Sequence, residues 1–481
     1  MAPPTNEDPS LALVLHAHLP WVRQPGDAEE IEERWLFEAV IECYLPLVAR
    51  LERLDRDGVP GALALSVSPT LAAMLRDEAM TARFEKHFTK LEALLPAARA
   101  RRSTEFHPAL DHHAARLHEA RARWARLGGD GLLGAFASLR RSGRLSLWTC
   151  PHPHPLLPLW IDRPWFVDAS LSRAISLHRK EFGVDPDGLW LPECGYAQGL
   201  DAHLARHGAR VSVLETHGVL HGAPRPARGV GALVRSPAGA CFGGRDPHAA
   251  SAVWSRAEGY PGEAPHQDFA SDLGGGPWEG FTSADGDALR TGLGVFAVTD
   301  RRGGAKRPYD PDAATRLARA QAERFVAERL RGAGLSVAPF DAELFGHWWA
   351  EGPVFLEEVL RASARSGLRC VALDRVASER GHAAQRITPA DSTWGRGGHL
   401  AAWLDGPAAP MARALDAMAR ALESAGVGRH PAALDALLSA SASDWPFLLN
   451  GGGAPHYAQR RFDAHRDAFW RALRGEVARP G

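Results

Sequence analysis

Cysteine is scarce in this chain, with five residues (Cys43, Cys150, Cys194, Cys241 and Cys370) spread over 481 positions. An odd, scattered set with no pair at zinc-ribbon spacing argues against a disulfide framework and predicts reduced thiols. Charge of one sign is also missing: 56 Lys and Arg stand against 57 Asp and Glu. That balance provides no basic field to draw in nucleic acid or an anionic membrane surface. No apolar run approaches the roughly 20 residues of a membrane helix. The run at 11–15 is too short, and follows too polar and acidic a start, to be a signal peptide. The chain is therefore expected to be cytoplasmic, with neither nucleic acid nor membrane as a partner. A phosphate-cradling Gly-x-x-x-x-Gly-Lys-Ser/Thr loop, a Gly-x-Ser-x-Gly elbow and a His-Glu-x-x-His zinc helix are all absent.

What is present is enough apolar sequence, 45%, to bury a large core in one big domain with an appendage or in two to three domains. Tryptophan is plentiful, 15 residues against five Tyr, and its flat face suits a sugar ring as well as a core. Short apolar runs at 11–15, 63–67, 145–148, 189–191, 211–214 and 337–340 read as strands, several ending in a polar residue. Helical patterns lie between them, as at 30–54 and 202–207, so an α/β fold with a parallel sheet is predicted. Polar residues at strand ends favour a barrel, whose chemistry sits at the C-terminal ends of its strands. Residues 76–139 are rich in Ala, Arg, Leu and Glu without strand signals and read as an inserted helical domain. The segment 222–304 is Gly-, Ser- and Asp-rich and reads as long loops, and the chain after 376 reads as a helical domain, with helices at 411–425, 432–440 and 457–477. The expected division is thus a barrel domain over 1–75 and 140–375, the insertion over 76–139, and a C-terminal domain over 376–481.

The most telling stretch is 336–353, where an apolar run ends in Asp341 and His347, Trp348, Trp349 and Glu351 follow. A strand-end acid with an aromatic escort fits protonation of a glycosidic oxygen beside stacked sugars; the plainer reading is a buried acid capping the next helix, with both Trp as core. Glu193, in Trp-Leu-Pro-Glu, is the second such acid, released from regular structure by Pro192. Two carboxylates are what glycoside chemistry requires, one as nucleophile and one as general acid/base. His16 and His18 follow the first strand, His152 and His154 the third, and Glu215 and His217 another. Such imidazoles suit metal or sugar hydroxyls, and the lack of a companion acid on the same motif weakens a metal hydrolase without removing it. Trp394, between small residues, and Trp403 can offer ring faces, and Asp444 can accept sugar hydroxyls. Trp445 and Phe447 read better as packing residues.

Taken in order, the strings at 16–20, 35–47, 149–158, 190–196, 216–220, 244–247, 254–262, 308–312, 338–353, 392–398 and 443–447 resemble the 1,4-α-glucan branching enzymes of glycoside hydrolase family 57. The resemblance implies a distorted (β/α)7 barrel with an inserted helical hairpin domain and a C-terminal all-α domain, and a retaining mechanism with no metal and no cofactor. It implies Glu193 as nucleophile, Asp341 as proton donor and acid/base, and His16, His18, His154, Gly286, Trp394, Trp403 and Asp444 as substrate-binding residues. The implied partner is an α-glucan, handled by a monomer or small homo-oligomer, in glycogen-type carbohydrate metabolism. The chain departs from the family pattern at Gln267, where an arginine is usual, at Gly294 and Val295, which replace a Lys-Tyr pair, and at Ser146, Pro153 and Arg396. No tyrosine lies between Leu233 and Tyr260, where the family carries one on a mobile loop, so α-glucan hydrolysis or plain glucan binding stand as alternatives to transfer.

Overall fold

The computed structural model describes residues 8–26, 31–255, 258–282, 287–299, 306–332, 334–451 and 453–476. Its strands are β1 (Ser10–Ala17), β2 (Leu63–Val67), β3 (Leu145–Trp148), β4 (Val211–Leu214), β5 (Val234–Arg235), β6 (Cys241–Gly244), β7 (Leu335–Asp341), β8 (Arg369–Cys370) and β9 (Gln385–Arg386). They form one sheet in the order β3-β2-β1-β7, with β8 also on β1, and a second in the order β4-β6-β5-β9. The chain divides into two compact units, residues 1–65, 71–147 and 246–375 in the first and 66–70, 148–245 and 376–481 in the second.

In the first unit β1 runs parallel to β7, from Ser10 opposite Leu335 to His16 opposite Asp341. Every residue of β1 is buried, which is why Leu-Ala-Leu-Val-Leu reads as a continuous apolar run and not as an alternation. The acid at 341 and the histidine at 16 thus face each other on one rung, near the C-terminal ends of neighbouring parallel strands. Asp246 donates its N–H to the Val337 carbonyl at 2.8 Å and caps the helix Pro247–Trp254 through its side chain, satisfying two otherwise orphaned N–H groups. Residues 76–139 fold mainly as the helices Glu78–Arg101 and His107–Leu127, capped at the start by Asp77. Phe84, Phe88, Leu91, Leu110 and Leu117 make their buried faces.

In the second unit β4 and β6 are parallel, and β5 turns back antiparallel to β6. The expected strand at 189–191 is a short rung: Leu189 bridges Thr149 in parallel and its N–H reaches the Val211 carbonyl at 3.0 Å. After 376 the helices Ala409–Ala425, Pro431–Ala440, Asp444–Gly451 and Pro455–Leu473 pack together, with Trp445, Tyr457, Phe462 and Phe469 buried. Each aromatic removed from water in this way contributes roughly 1.5–3 kcal/mol. All five cysteines are free thiols, and among the described residues no helix is long and apolar enough to cross a membrane.

The reading of 222–304 as loops missed β5, β6 and the helix Pro247–Trp254. β5 has two residues and β6 reads Cys-Phe-Gly-Gly, so neither carries a propensity signal. Close approach requires glycine at one position. Gly346 has φ +133°, and a Cβ there would lie 1.9 Å from the Glu42 carbonyl oxygen. Gly346→Ala is expected to cost ~3 kcal/mol or more in denaturant unfolding, since the new methyl group would run into the Glu42 backbone, which is not a flexible side-chain end that can give way. A midpoint equal to that of the wild type would refute this packing.

Candidate active site

Asp341 is half-buried at the end of β7. Beside it His16 is buried and its ring lies 5.5 Å from that of His18, the planes 21° apart. Burial, and then the neighbouring His18, hold the His16 imidazole well below its usual pKa, so it is neutral and can both donate and accept. Glu343, two residues past Asp341, accepts the His18 N–H at 3.2 Å and the Tyr44 hydroxyl. This carboxyl ties the turn after β7 to the turn after β1 and so fixes Asp341 and His18 together. Burial lifts its pKa to about 7, against the pull of Tyr44 and His18.

Of the two tryptophans in the motif, Trp349 is core and Trp348 is 54% exposed, its ring 4.3 Å from Phe269. Next to it His347 Nδ1 meets Glu42 at 2.8 Å and Glu38 at 3.7 Å. Burial, reinforced by Glu42, raises Glu38 to about 7. Burial alone would discourage a charge on His347, yet Glu42 and Glu38 raise its pKa. Where the family pattern has a cation, Gln267 has its amide over Gly294, where a Cβ would be 2.5 Å from the amide nitrogen. The two departures are thus one packing change. Ser146, the departure within β3, hydrogen bonds to Asp374.

In the second unit Glu193 sits in a turn with φ 59° and ψ 23°, in the left-handed region. Among the described residues the non-glycine positions with positive φ are Glu193, Cys194 and His154. Strain of this kind costs of order 1–3 kcal/mol per residue and persists only where surrounding bonds impose it. Those bonds are visible. The Glu193 carbonyl accepts the Trp394 N–H at 3.0 Å and the Thr393 hydroxyl at 2.8 Å. Its carboxylate accepts the Trp394 indole N–H on Oε2 at 2.7 Å and the Ser443 hydroxyl on Oε1 at 3.2 Å. Ser443 also meets His154 Nδ1 at 2.9 Å, and its N–H reaches the His154 carbonyl at 3.0 Å.

Trp394, expected as a sugar platform, therefore bonds the carboxylate through its N–H. The Arg245 guanidinium lies 5.4 Å from its ring centre, and Trp190 meets it at 5.2 Å and 60°. Arg245 is paired with Glu215 at 2.8 Å, and His217 reaches the Gly398 carbonyl at 3.1 Å, so the residues 215 and 217 brace the Trp394 loop. Trp403 is 2% exposed beneath that loop; a Cβ on Gly395 would be 2.4 Å from its ring. It supports the loop and offers no open face. Asp444 is half-buried at the start of its helix, Trp445 is core as expected, and Phe447 is 54% exposed, not packed. Gly286 lies outside the described residues. Ser443, Arg245 and Glu343 were not singled out from sequence; a serine next to a candidate acid carries no signal of its own.

Residues 12–233 match the family model of glycosyl hydrolase family 57, and residues 410–476 that of the C-terminal region of 1,4-alpha-glucan branching enzymes. The chain is 30% identical to a 1,4-alpha-glucan branching enzyme of Thermococcus kodakarensis, over 98% of this chain and 74% of that protein. Among solved structures, a branching enzyme of this family from Pyrococcus horikoshii superposes with a TM-score of 0.83 at 28% identity, covering 96% of this chain and 89% of that one. An alpha-amylase from Thermotoga maritima gives 0.87 at 28% identity, covering 98% and 95%. These likenesses define an enzyme of glycosyl hydrolase family 57, and they bear out the expected barrel with its helical insertion and C-terminal helical domain. Within that class the chain belongs to the 1,4-alpha-glucan branching enzymes.

The raised Glu343 carboxyl sets the sign of a pH effect. Its folded pKa of about 7 exceeds the unfolded value, so the stability it contributes is full below the unfolded pKa and is lost as pH rises through 7. Glu343→Gln cannot ionise, and is expected to gain on the wild type above pH 7, by up to about 3 kcal/mol, while gaining little near pH 4. Denaturant midpoints across that range test this; parallel curves for the two proteins would contradict it.

Proposed function

We propose that the protein branches 1,4-α-glucans by double displacement, with Glu193 as nucleophile and Asp341 as general acid and base. The observation that carries the assignment of Glu193 is its carboxylate, held at both oxygens by donors and mounted on strained backbone. In the first step Asp341 protonates the glycosidic oxygen, the C–O bond breaks, and Glu193 bonds to the anomeric carbon. In the second, the Asp341 carboxylate takes the proton of a glucan 6-hydroxyl, which displaces Glu193 and forms an α-1,6 bond. Two inversions give net retention, for which the two carboxyls must come within about 5–5.5 Å. Neutral His16 can donate to or accept from a sugar hydroxyl, and His18, His154, Asp444 and the Trp394 loop, backed by Trp403, complete the substrate contacts in this reading. No step calls for a metal or an organic cofactor. The same reading divides the chain into a barrel over 1–75 and 140–375, an insertion over 76–139 and a helical domain over 376–481. It places the protein in the cytoplasm, as a monomer or small homo-oligomer.

One observation favours hydrolysis as a second reading. Residues 234–244 form a tight hairpin with the Ser236 N–H on the Ala240 carbonyl, and Phe242 is core within it. This hairpin has no tyrosine to cover the intermediate, and water can compete with the 6-hydroxyl wherever the site is open. Incubation with amylose, counting new α-1,6 branches against new reducing ends, decides between them. Branches in excess are expected; reducing ends without branches would reject transfer. Glu193→Gln and Asp341→Asn are each expected to lower the rate by ~1,000-fold or more while the fold stays intact, and wild-type activity in either would overturn the mechanism.

A further inference from the structure

We propose that Ser443 is a positioning residue for the transfer reaction: its hydroxyl couples the His154 ring to Glu193 and aims Oε1 as the attacking oxygen. This rests on Glu193 being the nucleophile. Ser443 is 2% exposed, and its hydroxyl meets Glu193 Oε1 at 3.2 Å and His154 Nδ1 at 2.9 Å. A hydroxyl has one proton, and an ionised carboxylate only accepts. Ser443 therefore donates to Glu193 and accepts from His154, which places the imidazole proton on Nδ1. In the neutral ring Nε2 is then the acceptor, suited to a sugar hydroxyl. One hydroxyl thus sets the tautomer of one site residue and the orientation of another.

The Trp394 and Ser443 bonds to the two oxygens of Glu193 differ in length. Oε2 takes a 2.7 Å bond from the Trp394 indole, and Oε1 the longer bond from Ser443. When the glycosyl ester forms, the attacking oxygen bonds to the anomeric carbon and becomes a poor acceptor, while the other becomes the ester carbonyl and still accepts. The oxygen with the weaker bond gives it up at less cost, so Oε1 attacks and Trp394 stays on the carbonyl. The proton on the departing chain comes from Asp341, and Ser443 keeps its own. Backbone bonds serve the same alignment: the Ser443 N–H holds the His154 carbonyl at 3.0 Å, and His154, at φ 86°, shares the positive-φ strain of Glu193.

The test uses the full-length enzyme with amylose and the variants Ser443→Thr and Ser443→Val, which have nearly the same shape and differ in the hydroxyl. Thr is expected to retain activity, and Val to lose roughly 10- to 100-fold in kcat, the cost of a nucleophile no longer held in its attacking orientation, with KM changed by no more than about twofold. Equal kcat for Thr and Val overturns the proposal, and so does a loss confined to KM, which would make Ser443 a substrate contact. Because the two share any packing penalty, a common loss of stability leaves their ratio readable. Glu193→Gln run alongside separates the two claims. If it is inactive while Val matches Thr, the positioning role alone fails; if it is fully active, the nucleophile assignment fails and the positioning role with it.

Discussion

The arrangement on which the proposed chemistry depends is the pinning of the Glu193 carboxylate. Its backbone is in a conformation that non-glycine residues avoid, and it stays there because the Trp394 N–H and the Thr393 hydroxyl hold its carbonyl while an indole and a serine hold its side chain. A carboxylate on a free rotamer would pay for its orientation at each turnover. Here the orientation is supplied on folding, by residues more than 190 positions away in the chain.

Several features that look independent serve that arrangement. Arg245 over the Trp394 ring, Glu215 on Arg245, His217 on Gly398 and buried Trp403 under Gly395 all fix the loop that carries the indole. In the first unit Glu343 plays the corresponding part for Asp341, joining the ends of two adjacent parallel strands through His18 and anchoring them to Tyr44 of a neighbouring helical segment. In both cases the acid assigned to the chemistry is set by neighbours that do no chemistry themselves.

Much of this was legible in the sequence because strands buried on both faces read as apolar runs. β2, β3 and β4 coincide with the runs at 63–67, 145–148 and 211–214, and the C-terminal helices match within a few residues. The two acids were visible because each breaks such a run. What could not be read was tertiary. Trp394 suggested a ring face for stacking, and its N–H turned out to matter for a partner 201 residues away. Trp348 and Trp349 are chemically identical neighbours, one exposed and the other core, and composition could not separate them. The change at Gln267 makes physical sense only once Gly294 is seen beneath it.

In the proposed reaction Glu193 forms a covalent bond to the sugar. Its most direct test is to trap the intermediate with a fluorinated α-glucosyl fluoride that slows the second step, digest the protein and locate the modification by mass spectrometry. One glycosyl unit is expected on the peptide containing Glu193, lost again on addition of an acceptor glucan. A label on another residue, or products of inverted configuration with no adduct at all, would contradict it.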